Sequence, residues 1–293
     1  MTEGPAKPGS LSIRRLAPWV LIAPNSIWLL TFLVGPVILL FLLSLRGYEP
    51  GRGILYDVAN FDNYIRFLSD PFYYGVLGTT VQMGAMVTLV CFVLGFPLAY
   101  TLSGLRGWKR GLLYFCIILP LLTSAVVRTF GWTILLSNNG FINRTLLSLG
   151  ITDMPIRFLY NMNGVVISLA QIMLPFMILA LDAALLNIDR SVIEAARNLG
   201  ARPVRVFFRI LLPLALPGIV SGSVLVFSMT VSAFVTPSLV GGAQVKIMPT
   251  MIYQQAMSLL NWPFGAALAF IMLVFIMVLV IPALHFAERR SHK

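Results

Sequence analysis

Glu194-Ala195-Ala196-Arg197-Asn198-Leu199-Gly200, followed after nine residues by Ile210-Leu211-Leu212-Pro213, is a polar, arginine-rich stretch between two long apolar runs. Ser191-Val192-Ile193-Glu194 matches a capping box, in which a serine and a glutamate each satisfy a free backbone N–H at a helix start. Ala195 and Ala196 favour helix. Gly200 can take the left-handed conformation that stops one, and Pro203 prevents resumption nearby. The stretch predicts a short helix of about two and a half turns. The small side chains of Ala195, Ala196 and Gly200 leave a face flat enough for close docking, while Arg197, Arg202 and Arg205 stay hydrated or reach acidic partners. A structured, charged helix between two apolar runs implies contact with something soluble.

The runs on either side are membrane spans. The chain of 293 residues is 58% hydrophobic and 11% charged, where a soluble domain carries about a quarter charged residues. Apolar blocks of about 20 residues predict six transmembrane helices, near 19–44, 75–103, 112–136, 165–185, 217–239 and 264–286. With lipid as solvent the fold class is an all-α membrane protein. An even number of spans puts both termini on one side. Lys7, Arg14, Arg15, Arg106, Lys109, Arg110, Arg190, Arg197, Arg202, Arg205, Arg209, Arg289, Arg290 and Lys293 fall in one set of segments. Arg46, Arg52, Arg66, Arg144, Arg157 and Lys246 fall in the other. Fourteen against six places the first set, both termini and the Glu194 segment in the cytoplasm. The organisation expected is a cytoplasmic segment at 1–16, a six-helix domain at 17–287 with a cytoplasmic loop at about 186–212, and a tail at 288–293. The apolar stretch 16–45 is too long for the core of a cleaved signal peptide and reads as the first span.

Outside the spans, residues 46–74 hold Asp57, Asp62, Asp70 and aromatic residues and predict a short structured cap. Residues 250–260 are helical in period but too short to span, so they lie at the interface or dip part-way into the membrane. Pro36, Pro97, Pro120, Pro175, Pro213 and Pro217 punctuate the spans. Membrane helices tolerate proline, and kinked helices also suit a pathway that opens and closes.

Several function classes fall away. The net charge of +11 is explained by basic loops, and no basic stripe interleaved with aromatics suggests nucleic acid. Cys91 and Cys116 lie in spans without CxxC spacing, and His285 and His292 are too terminal for a metal site. None of the four lysines follows a glycine, so no phosphate-binding loop is present and this chain is not expected to hydrolyse ATP. The spans hold no partnered histidine or paired acid for an intramembrane enzyme. Ionisable residues along a route, usual in channels and proton-coupled carriers, are nearly missing, and no clear internal repeat suggests a secondary transporter.

The complete pattern of Glu194, Ala195, Ala196, Gly200, Ile210, Leu212 and Pro213 resembles the hallmark loop of the membrane subunits of bacterial binding-protein-dependent ABC importers. The resemblance implies a type I ABC importer permease (MetI-like) fold in the bacterial inner membrane, in which the short helix is the coupling helix. Arg197 beside it shares that expected role. Its implied partners are a pair of ABC ATPases, a second permease chain (homologous, of the C type) and a periplasmic binding protein. The chain itself binds no cofactor; ATP and Mg belong to the ATPases. Leu119-Pro120, Arg128-Thr129-Phe130-Gly131-Trp132 and the segment 135–143 look like spermidine/putrescine permeases of the B type. So do Met173-Leu174-Pro175-Phe176, the segment 234–242, Ile252-Tyr253-Gln254-Gln255 and Asn261-Trp262-Pro263-Phe264. This implies a small charged solute, a polyamine such as putrescine or spermidine. The alternatives are an aminophosphonate, an amino-acid-like or a quaternary amine solute on the same machinery, or an ATP-independent secondary transporter.

Within the spans, Arg128 is the one basic residue at depth. It either snorkels to the interface, stacked on Trp132, or lines an outer mouth with Thr129. Asp182 lies near the cytoplasmic end of the fourth span and is a candidate for a pore-facing group. Gln171, Ser228, Thr230, Ser232 and Thr236 are pathway candidates, or hydroxyls and amides that pack helices. No acid lies at mid-span, so strong recognition of a cation is expected in the separate binding protein.

Overall fold

Hydrocarbon offers a backbone no hydrogen-bond partner, so each apolar run closes its bonds within a helix. The computed structural model of the chain describes residues 10–291; the ends of the expected terminal segments, with Lys7 and Lys293, lie outside them. Helix α1, Ser10–Ser44, enters first. A two-stranded antiparallel hairpin follows, β1 Arg46–Glu49 and β2 Gly53–Ala59, turning where Gly51 and Gly53 take positive φ. With α2, Asp62–Ser69, it forms the expected cap and adds a small sheet to an otherwise helical chain. The Asp70 carboxylate accepts from Phe72 N at 2.9 Å and starts α3, Pro71–Gly104.

The third span is not the straight helix expected. α4, Gly107–Ile118, runs through a 3₁₀ turn at Leu119–Leu122 and stops; α5, Ala125–Leu135, leaves at 93°. Pro120 withholds an N–H and Thr123 is extended, which breaks the ladder. After α6, Phe141–Ser148, comes the unbroken α7, Met162–Leu186, and then α8, Arg190–Asn198. The fifth span is bent too. α9, Pro203–Val206, continues through a π turn at Phe207–Leu211 into α10, Leu212–Leu214. It then turns 67° into α11, Leu216–Val231, where Pro213 and Pro217 flank the buried Ala215. That helix ends at Val231, short of the expected 239, and the chain turns into a π turn at Pro237–Gly241. α12, Met248–Tyr253, a π turn at Gln254–Ser258 and α13, Trp262–Ser291, complete the order. Among the described residues four helices are long and apolar enough to cross a membrane alone, and up to six spans result when each bent pair is one.

The core lies where α7 packs against α3 and α11. Close approach there depends on missing side chains. A Cβ on Gly218 would stand 2.2 Å from Ala184 Cβ, and one on Gly84 would stand 2.7 Å from Val231. α13 packs on α1 and α11. Leu273, Val274, Met277, Val278 and Ile281 along its middle are exposed and apolar, as a lipid-facing surface requires. α12 dips: Met248 N donates to Thr80 Oγ1 at 2.9 Å, and Thr80 lies about 14 Å along α3 from Pro71.

Candidate functional site

Helix α8 starts two residues earlier than the capping box predicts. Arg190 is its first residue, so Ser191 lies inside it and Asp189 takes the cap position. The Asp189 carboxylate accepts from Ser191 N at 2.9 Å. Hydrogen bonds from the Ser191 backbone, then its side chain, hold that carboxyl below the usual carboxylate range. The other end behaves as the sequence predicts. Gly200 has φ +78°, and Ala201 N donates to Ala196 O at 3.1 Å, closing the helix with a Schellman turn.

The helix presents two faces. Ile193 packs on the main core and Ala196 is half-buried. Glu194 lines a cavity of about 420 Å³ with Tyr100, Thr101, Gly104, Leu185 and Ile188, at the ends of α3 and α7. On the other side Val192, Ala195 and Leu199, spaced i, i+3, i+7, are exposed, Leu199 at 89%. The apolar Val192 and Leu199 belong to this free face, and motif reading overlooked them. A heptad-like spacing beside a span was the available signal. The side chain of Arg197 lies outside the described residues. Downstream, Ile210 and Leu212 are half-buried and Pro213 is exposed, while Leu211 between them is buried in the core.

The candidates within the spans separate into pairs. Asp182 is buried, and its Oδ2 accepts from Arg110 Nη2 of α4 at 2.7 Å. Asp182, a candidate pore-facing group, here ties the fourth span to the third. Arg110, expected in a loop, was missed because a helix boundary moved by one turn puts it against α7. Thr129 and Thr236 are buried with their hydroxyls 2.9 Å apart, joining α5 to the turn after α11. Trp132 Nε1 donates to Gln171 Oε1 at 3.1 Å, joining α5 to α7. Arg128 is not stacked on Trp132 among the described residues; its Nε and Nη1 are screened from solvent without a hydrogen-bond partner. Arg128, Thr129, Trp132, Gln171 and Thr236 thus gather around α5, and Asp182 sits apart at the arginine-rich end.

Residues 91–292 match the model of the binding-protein-dependent transport system inner membrane component family. The chain belongs to this family. The spermidine/putrescine transport system permease protein PotB of Escherichia coli (strain K12) is 38% identical over 240 residues, covering 82% of this chain and 86% of that one. The protein of that name from Haemophilus influenzae is 33% identical over 253 residues, covering 86% and 88%. Among solved structures, a chain of the bacterial alginate ABC transporter in complex with its pentasaccharide-bound periplasmic protein superposes with a TM-score of 0.76 at 20% identity, covering 95% of this chain and 96% of that one. That likeness establishes the permease fold. This family member is an ABC importer permease, a membrane subunit of the inner membrane.

Proposed function

We propose that the chain carries a small polyamine-like cation through an ATP-driven importer, coupled to its ATPases through α8. The supporting observation is the free Val192–Ala195–Leu199 face, held by a cap at each end of a short helix and anchored by Ile193 to the ends of α3 and α7. A rigid helix with one face bound to the spans and an apolar face turned outward transmits displacement. In this reading two ABC ATPases, which bind ATP and Mg, seat that face, both termini share their cytoplasmic side, a second permease of the C type completes the pathway, and a periplasmic binding protein delivers the solute. The ATPase-coupling residues are Glu194, Ala195, Ala196, Arg197, Gly200, Ile210, Leu212 and Pro213, with Val192 and Leu199 added. Cargo rests on the names of the relatives at 33–38% identity. A relative named a 2-aminoethylphosphonate permease, from Salmonella typhimurium, is 27% identical and favours an aminophosphonate as the second reading.

Val192→Asp combined with Leu199→Asp places charge on an exposed face and leaves the core alone. The expected outcome is a folded, inserted permease that no longer co-purifies with its ATPase, with uptake in proteoliposomes reduced at least tenfold. Unchanged uptake would remove α8 as the coupling element.

A further inference from the structure

The exposed face of α11 carries hydroxyls. Along the middle of α13 the exposed residues Leu273, Val274, Met277, Val278 and Ile281 are apolar, whereas α11 exposes Ser221, Leu225 and Met229, and Ser232 just past its end continues the face, spaced i, i+4, i+8, i+11. A membrane helix face that carries hydroxyls meets water or protein more readily than lipid. At the end of this face, beyond Ser232, stand Phe234 and Tyr253, with ring centroids 4.8 Å apart and an interplanar angle of 34°. Tyr253 is 52% exposed, and the neighbouring Gln254 is exposed as well.

Elsewhere at this end of the molecule, ring faces hold the chain's own cations. Arg66 lies 4.5 Å from the Phe264 centroid, and Lys246 lies 4.9 Å from that of Phe72. Among the described residues no Arg or Lys lies over Phe234 or Tyr253. The sequence of α11 contains no acid to attract a cation. The electron-rich ring faces are what the site offers to a positive group.

We propose that Phe234 and Tyr253 form a cation–π contact for an organic ammonium group entering along the α11 face. This rests on the amine-cargo reading and deepens it: the pathway selects charge through two rings and nearby hydroxyls instead of carboxylates. The contact is strong enough to favour an ammonium over a neutral or anionic group and weak enough to release it.

The test uses the assembled importer in proteoliposomes with its binding protein and radiolabelled putrescine. Putrescine binding to the isolated binding protein is measured first; failure there overturns the cargo reading and this contact together. With binding intact, Tyr253→Phe keeps most of the uptake, while Tyr253→Leu and Phe234→Leu each lower it about fivefold, the effect of roughly 1 kcal/mol. Mono-, di- and trifluorinated phenylalanine at position 253 hold nearly the same volume while draining the ring face. Uptake that falls stepwise along that series, with ATPase and partner chain still co-purifying, supports the contact. Uptake indifferent to fluorination overturns it and leaves the cargo reading standing.

Discussion

At the level of single residues, ionisable groups near lipid explain most of what sequence reading placed wrongly. Asp182 drew attention as an acid within a span, and its position was legible; its partner was not. Arg110 lies 72 positions away, and only the packing of α4 on α7 brings the two within 2.7 Å. Removing Arg110 strands the buried Asp182 carboxylate, which costs about 3 kcal/mol, whereas removing both restores an apolar contact. Arg110→Met is therefore expected to destabilise the permease by roughly that amount, and Asp182→Leu with Arg110→Met to recover most of it, read from thermal unfolding in detergent. A double variant as unstable as the single one would show that the pair does more than neutralise itself. Thr129 and Thr236 carry a related lesson: each looked available for a passing solute, yet their hydroxyls face one another, 107 positions apart in the chain.

At the level of elements, α8 was readable almost to the residue. Gly200 and the alanines marked its extent, and the cap shifts from Ser191 to Asp189 because the Asp189 carboxylate accepts from the Ser191 backbone and side chain. The Asp189 carboxyl lies below its ordinary range in the folded chain. Its contribution is complete above the unfolded value of about 3.9 and is lost as pH falls through the lower folded value. Hydrogen-exchange protection in the first turn of α8 is expected to hold at neutral pH and decline only in strong acid. Asp189→Asn should keep the protection and remove that decline, while Asp189→Ala should lower protection at every pH. The bends in the third and fifth spans were less legible. Prolines marked the places, Pro120, Pro213 and Pro217, but angles of 93° and 67° depend on what each half-helix packs against.

For the molecule as a whole, the sidedness proposed from charge counting makes a direct prediction. In a permease with Cys91 replaced by Ala and Cys116 by Ser, Leu199→Cys and Leu149→Cys present exposed positions in the two opposite sets of loops. A membrane-impermeant maleimide is expected to label position 199 only in inside-out vesicles and position 149 only in right-side-out ones. The reverse pattern would invert the topology and detach α8 from any cytoplasmic partner. Hydropathy and the Glu194–Pro213 pattern determined the membrane class and the family, because lipid imposes its demands on each segment separately and a short motif keeps its spacing along the chain. The tertiary structure alone decided which polar groups satisfy one another, how sharply the third and fifth spans turn, and which faces remain free. Those outcomes are set by contacts between residues far apart in the chain, where one helix rotated by a single position exchanges a buried neighbour for an exposed one.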